Sequence, residues 1–411
     1  MGKFLIVSQV FPPDPAAVGQ YFEDAAQALA EGGDEVIVLT ANRGYDDPGQ
    51  RFEARETRGG VTVRRLPASS FGKSNLVLRI LGQLSFLFQC IVRGLSSRGL
   101  TDLLVSTSPP MAAFIAVVVG TCRPKVKVHY WVMDLNPDQA VALGVFGPRH
   151  PLVLAMNWLN RRILKRADSI IALDRCMLDR LEVKLSGALG RSPGAVAVLP
   201  PWPMETFLEP VAHADNPFRQ EQGWAARFVV MYSGNHSWVH PLDTVLEAAG
   251  KLEDDSRFIF VFIGGGKGKA AVDAWIEKRG KAGNVVSLPY QDLSAVRFSL
   301  SAADLHVVSL GDAMSGIVHP CKIYGALAIG RPVLCLGPEG SYLDEVLADV
   351  DCGSTIRHGD VNGMMRALQN AAAQSPEAWN SQCARARQRI AQNYSKDSLR
   401  GQFLQVLRCN S

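Results

Sequence analysis

Lys322 is the residue whose position most clearly implies chemistry. It lies in Gly311-Asp312-Ala313-Met314-Ser315-Gly316-Ile317-Val318-His319-Pro320-Cys321-Lys322-Ile323-Tyr324-Gly325, after an apolar run and at the opening of a helix that Gly330 closes. Pro320 suits a first helical turn and Gly330 a helix stop. A cation in a first turn is disfavoured by the helix dipole unless an anion is present. Lys322 with nearby backbone N–H groups therefore makes a diphosphate site, the alternative being a solvated surface lysine.

Two further loops expose backbone in the same way. Tyr232-Ser233-Gly234-Asn235-His236-Ser237 follows an apolar run and precedes a helix near Pro241. Its small residues let a phosphate approach, with Asn235 or His236 as donors, or it is an ordinary polar turn. Gly264-Gly265-Gly266-Lys267-Gly268-Lys269 lacks both the phosphate-loop spacing and the dinucleotide fingerprint, which leaves a kinase, an ATPase or a dehydrogenase unsupported. His236 and His240 are four apart, but a strand-to-helix change between them and the lack of a carboxylate cluster argue against a metal. Nearer the start, Val10 to Gln20 turns into a helix near Val18, where backbone around Gly19 holds an anion or merely turns the chain.

Strands must position these loops. Apolar, β-branched runs at Phe4–Ser8, Glu35–Thr40, Val61–Leu66, Leu103–Ser106, Val126–Trp131, Ser169–Leu173 and Val196–Leu199 alternate with helical stretches. Pro200-Pro201-Trp202-Pro203 and the polar residues to Gln222 then read as a linker. Alternation restarts with Phe228–Ser233, Phe258–Ile263, Val285–Leu288, Leu305–Ser309 and Pro332–Leu336. The expected architecture is α/β, two doubly wound parallel sheets covered by helices, with ligands beyond the carboxyl ends of the strands and a cleft between the domains. The expected domains are residues 1–203, residues 204–393, and a last helix over 394–411, capped by Ser395 and packing back toward the first domain.

Composition sets outer limits. Apolar residues make up 47% and charged residues 20% of 411, which excludes a disordered chain, and a net charge of +4 gives no sign of nucleic acid. Eight cysteines without a Cys-x-x-Cys pair read as thiols in a reducing cytoplasm. The apolar start is too short for a signal peptide, and the longest apolar stretch, Leu76 to Val92, is broken by Arg79, Gly82, Gln83, Ser85 and Gln89, short of a clean membrane span. Residues 73–98, edged by Lys73, Arg79, Arg93 and Arg98, form one basic-edged apolar helix. Residues 152–166 form another, with Leu152, Met156, Leu159 and Ile163 on one face and Arg161, Arg162, Lys165 and Arg166 around the other. These helices either pack in the core or dock the first domain on an anionic membrane.

Taken together, the order and spacing resemble a GT-B glycosyltransferase of the retaining family four. The nearer likeness is to the bacterial subgroup that builds exopolysaccharide, colanic acid and O-antigen. The likeness rests on the Pro-Pro loop ending at Gly19, Ser108-Pro109-Pro110, Met133-Asp134-Leu135-Asn136-Pro137-Asp138, Ser233-Gly234-Asn235-His236, Gly264-Gly265-Gly266 and His319 to Pro332. It implies two Rossmann-like domains facing a central cleft. It also implies transfer of a sugar from a nucleotide diphosphate-sugar, UDP being the commonest, to a glycan or polyprenyl-diphosphate-linked acceptor, with anomeric configuration retained and no cofactor or metal. By position, Gly19 lines the donor from the first domain, and Gly234, Asn235, His236 and Gly265 lie near the diphosphate. Lys322 binds the diphosphate in a motif that includes Pro320 and Tyr324, Pro289 and Tyr290 meet the base, and Asp134 faces the acceptor as its base. The enzyme is expected in the cytoplasm, free or peripheral on the inner face of the membrane. One departure stands out: the family's paired glutamates fall at Ile317 and Gly325. Two other readings stay open, a nucleotide-sugar epimerase of the same fold and a non-catalytic sugar-nucleotide-binding partner in a glycan assembly complex.

Overall fold

Runs such as Phe4-Leu5-Ile6-Val7 and Val36-Ile37-Val38-Leu39 are buried throughout. Strands covered on both faces by helices show no polar alternation. The computed structural model describes every residue except 15, 45–48, 70–75, 186–194, 204–208, 280–282 and 409–411; Lys73 and Cys409 lie outside the described residues. The chain divides into two compact units: Met1–Pro201 with Gly316–His319 and Leu399–Ser411, and Trp202–Ser315 with Pro320–Ser398.

The first unit starts with β1 (Lys3–Val7), α1 (Ala17–Glu31), β2 (Glu35–Ala41), β3 (Arg55–Arg58) and β4 (Val61–Leu66). It continues with α2 (Leu76–Ser96), β5 (Asp102–Ser106), α3 (Ala112–Cys122), β6 (Lys127–Trp131) and α4 (Asp138–Ala142), and ends in α5 (Pro151–Arg166), β7 (Ser169–Ala172), α6 (Arg175–Leu185) and β8 (Ala195–Val198). The sheet order is β3-β4-β2-β1-β5-β6-β7-β8, parallel except for the β3–β4 hairpin. β3, Arg-Glu-Thr-Arg, was not expected from the sequence because it is an apolar-free edge strand held only by that hairpin.

In the second unit come α7 (Pro217–Glu221), β9 (Phe228–Ser233), α8 (Asp243–Lys251), β10 (Phe258–Ile263), α9 (Lys269–Lys278) and β11 (Val285–Leu288). They are followed by α10 (Leu293–Ser301), β12 (Leu305–Ser309), α11 (Lys322–Ala328), β13 (Val333–Leu336), α12 (Tyr342–Val350), β14 (Gly353–Ile356), α13 (Val361–Ala372) and α14 (Pro376–Asn393). Its sheet is parallel, in the order β11-β10-β9-β12-β13-β14. The sequence reading left out β14, a half-exposed edge strand rich in small polar residues, and α7, a single short helix set by Asn216 as its cap and Pro217. The last helix, α15 (Lys396–Arg408), returns to the first unit from Leu399 onward, where Phe403 packs 4.4 Å from Trp131 and Arg408 pairs with Asp34 at 3.0 Å.

Helices α2, α3, α5 and α6 pack side by side in one layer of the first unit. Gly94 of α2 lets Val119 of α3 come close: a Cβ there would stand 2.7 Å from a Val119 methyl. Contrary to the sequence reading, Val77–Ser96 is, by length and composition, long and apolar enough to cross a membrane, with a mean hydropathy of 1.3, and only 28% of that stretch is buried.

Three neighbouring strands of the first unit, β5, β6 and β7, are tied together by polar groups. His129 bridges the Ser169 hydroxyl at 2.7 Å and the Asp102 carboxylate at 2.9 Å, all three residues being buried. A His129→Leu substitution removes a hydrogen bond from each partner and is expected to cost about 2–4 kcal/mol, read as a lower urea midpoint; an unchanged midpoint would show the cluster to be passive.

Candidate active site

Parallel sheets bind ligands where the strand order reverses, outside the carboxyl ends of the strands. In the second unit that point lies between β9 and β12. Gly234 follows β9 with φ +124°, and a Cβ on it would stand 2.7 Å from Cε of Lys322. Glycine here is what lets the lysine lie across the loop. The Lys322 ammonium donates to the Asn235 carbonyl at 2.7 Å and to the Tyr232 hydroxyl, and sits 4.0 Å over the Tyr232 ring. No carboxylate pairs with it among the described residues. Burial pushes its pKa down to about 7, so near neutral pH the amine holds its proton only part of the time, and the acceptors around it are neutral.

The neighbouring glycine turn closes on the same loop. Gly265 accepts at its carbonyl from the His236 N–H at 2.7 Å, and His236 accepts from the Gly268 N–H at 2.9 Å. Tyr290 is exposed with its ring against Gly265, where a Cβ would stand 3.0 Å from Tyr290 Cε2; Pro289 beside it is also exposed. Gly234, Asn235, Gly265, Tyr290 and Lys322 are thus brought together on one side of the second unit.

His236 is placed differently from a phosphate donor. Its ring is buried edge-on to Tyr232 at 4.8 Å, and Nδ1 donates to the Gly234 carbonyl at 3.0 Å. Burial, then the Lys269 and Lys322 charges, push its pKa down to about 4. With no anion bound the ring is therefore neutral at pH 7 and Nε2 is an acceptor, and as placed here His236 shapes the loop. Lys269 donates to the Phe262 and Leu288 carbonyls at 2.7 and 2.8 Å and ties strand ends together. Tyr324 is 1% exposed and packs 5.3 Å from Tyr394, while buried Pro320 accepts from the Tyr342 hydroxyl at 2.8 Å. Both hold α11 from inside.

In the first unit the order reverses between β1 and β5. Gly19, inside α1, is buried, and a Cβ there would stand 3.1 Å from the Phe11 backbone; its N–H is spent on the Ala16 carbonyl at 2.9 Å. The loop after β6 carries Asp134. Thr107, which sequence reasoning passed over, accepts at its hydroxyl from the N–H of Met133 at 3.1 Å and of Asp134 at 3.0 Å. Asn160 of α5 donates to the Asn136 carbonyl at 2.6 Å. Burial pushes the Asp134 carboxyl up to about 6, and among the described residues no cation pairs with it.

The strap Gly316–His319 runs along this same unit. Ile317 accepts from the Leu135 N–H at 2.8 Å, and His319 Nδ1 donates to the Asp174 carboxylate at 2.7 Å, both side chains buried. Gly316 has φ +68°, and a Cβ there would stand 2.4 Å from the Cys176 carbonyl oxygen. Ile317 and Gly325, where the paired glutamates would fall, are buried. Asp174, and the part Tyr232 plays under Lys322, escaped the sequence reading because His319 and Lys322 lie far from them in sequence.

Residues 16–202 match the glycosyl transferase 4-like domain family and residues 215–391 the glycosyl transferases group 1 family. The chain belongs to the GT-B glycosyltransferases. The transferase is 25% identical over 340 residues to an Escherichia coli (strain K12) protein named for colanic acid biosynthesis glycosyl transfer, WcaI, covering 80% of this chain and 81% of that one. It is 24% identical over 359 residues to a Pseudomonas aeruginosa protein named as a glycosyltransferase, WbjE, covering 86% and 85%. Its fold resembles that of sucrose-phosphate synthase from Thermosynechococcus elongatus, with a TM-score of 0.77 at 16% identity over 100% of this chain and 99% of that one. It also resembles Anabaena HepE solved with UDP, with a TM-score of 0.69 at 14% identity over 100% of both chains. A similar likeness holds for WaaG, a glycosyltransferase of lipopolysaccharide biosynthesis, with a TM-score of 0.69 at 17% identity over 99% of both chains.

An anion over Lys322 restores the proton that burial removes. At pH 8, above the value of about 7, nucleoside diphosphate binding to the transferase should take up close to one proton, and at pH 6 almost none. Calorimetry in two buffers of different ionisation heat measures this, and Lys322→Met should abolish the uptake and weaken binding about 10–100-fold.

Proposed function

We propose that this transferase moves a sugar from a nucleoside diphosphate-sugar, UDP in the first instance, to a glycan or lipid-linked acceptor at a membrane surface, in the synthesis of a bacterial surface polysaccharide. The observation that carries the proposal is the Lys322 ammonium, lodged in a glycine-lined loop cluster with only neutral acceptors. As the donor bond breaks, charge grows on the leaving diphosphate, and a preorganised cation with backbone amides stabilises it. The name of WcaI supports the polysaccharide setting, and the HepE structures with UDP and UDP-glucose make UDP the first donor to try. Retention of configuration is part of the proposal, and the family likeness supports it.

Asp134 takes the acceptor's proton. A carboxyl raised to about 6 by burial is a stronger base than an ordinary one and still ionised at pH 7. The exposed apolar side of α2, with Phe88 at 68%, turns the first unit toward the membrane that carries a lipid-linked acceptor.

Melting of wild type and Lys322→Ala with UDP, GDP, ADP and their sugars tests the donor site. One nucleotide should stabilise wild type and much less the variant; none doing so removes the proposal, and donor binding with no turnover on a membrane extract points instead to a non-catalytic partner. Transfer should fall as pH drops below about 6, where Asp134 gains its proton. Asp134→Asn should lose that limb and about 10²–10⁴ of the rate while keeping donor affinity; an unaltered profile assigns the base elsewhere.

A further inference from the structure

The β3–β4 hairpin of the first unit carries a charge pattern that packing does not account for. Its register sets Arg55 directly opposite Arg64, and a separate antiparallel bridge sets Arg43 opposite Arg51. Side chains facing each other across antiparallel strands lie about 5 Å apart, and like charges there are destabilising. Arg51, Arg55 and Arg64 are exposed and Arg43 is half-buried. Nearby carboxylates are spent on other arginines, Glu56 on Arg65 and Glu23 on Arg58. Among the described residues, no carboxylate pairs with any of the four.

Charges on an outermost strand serve to block pairing with another sheet. That accounts for Arg55, but Arg64 lies on β4, one strand in, and Arg43 lies just past the end of β2, two strands in. What the four share is the end of the sheet. β2 and β4 run parallel, with Arg64 two residues before the carboxyl end of β4 at Leu66 and Arg43 two residues past that of β2 at Ala41. Both pairs therefore gather where sheets of this kind bind ligands. Arg65, buried on the other face of β4, donates to the Pro12 carbonyl at 2.7 Å and fastens this corner to the loop that follows β1. An anion relieves the repulsion within each pair, and the guanidinium fork matches the two oxygens of a carboxylate.

Strand spacing narrows the ligand. From β3 to β2 is two spacings, about 10 Å, so the arginines suit charges distributed along a chain and not one compact diphosphate. From β4 to β6, whose following loop carries Asp134, is four spacings, about 20 Å, the reach of several linked sugars. We propose that the β2–β3–β4 corner holds an acidic stretch of the acceptor glycan, made of sugars that carry carboxylates and lie several residues from the hydroxyl that receives the new sugar. This rests on the transfer proposed above, with Asp134 as the acceptor's base, and names the class of acceptor.

Calorimetry of the full chain with a tetramer of galacturonate, and with the tetramer of galactose as its uncharged counterpart, tests it. Wild type should bind the acidic tetramer, with an affinity that falls as salt rises, and the neutral one far more weakly. Arg55→Gln/Arg64→Gln and Arg43→Gln/Arg51→Gln should each bind the acidic tetramer about tenfold more weakly. Neither double variant should melt below wild type, because each removes a repulsion; a lower melting temperature would show that the arginines hold the hairpin together and would overturn the proposal. Equal binding of both tetramers, wild-type affinity in both double variants, or displacement of the acidic tetramer by an equal concentration of inorganic diphosphate would overturn it as well. Melting with nucleoside diphosphates separates the two ideas: tetramer binding through the arginines without nucleotide stabilisation defeats sugar transfer alone, and the reverse defeats the arginine corner alone.

Discussion

The second unit's loop cluster is arranged around one lysine amine that has no counter-charge among the described residues. A lysine taken from water into a half-buried site loses solvation that neutral acceptors only partly restore. Here the acceptors are the Asn235 carbonyl and the Tyr232 hydroxyl with its ring. Gly234 must be glycine for the aliphatic stem to pass, and Tyr324 and Pro320 must be buried for α11 to begin at Lys322. The loop that accepts the charge is in turn closed by His236, whose backbone bonds Gly265 and Gly268 and whose ring stays neutral.

The first unit solves a related problem with a carboxylate. Its acidic loop is not held by a charge partner. One threonine hydroxyl receives two successive backbone N–H groups, an asparagine from α5 reaches the next turn, and a strap from a distant part of the chain bonds Leu135. The strap is itself locked by the His319–Asp174 pair and by a glycine that no larger residue could replace against Cys176. Holding a loop by its backbone leaves the carboxyl uncompensated, and for that reason burial can raise it.

Most of the sheet framework was legible because apolar runs buried on both faces announce themselves: all twelve strands expected lie within a residue or so of the observed ones. The strands passed over, β3 and β14, are edges whose side chains face water and carry no such pattern. Among the candidate residues, Gly234, Asn235, Gly265, Tyr290 and Lys322 lie close together. Spacing alone could not separate His236 or Tyr324, which are buried, from exposed loop residues such as Tyr290, because burial depends on partners such as Phe262 and Tyr394 that are distant in sequence. Thr107 left no local signal, and Asp174 reads locally only as a cap for α6, since a hydroxyl or carboxylate beside a strand end is common and only the fold supplies its distant partner.

Desolvation connects the two chemical groups. It disfavours whichever form is charged, so it lowers the lysine to about 7 and raises the aspartate to about 6. An exposed pair would sit far apart, permanently positive and permanently negative at neutral pH. Partial burial brings both close to neutrality, where a proton moves with little free-energy difference between its states. The same lack of counter-charge among the described residues that makes each group costly to fold makes it responsive: an anion placed beside Lys322 would recover solvation that burial removes, and the Asp134 carboxyl would gain or lose its proton close to neutral pH. A salt bridge at either position would have stabilised the fold and removed that response.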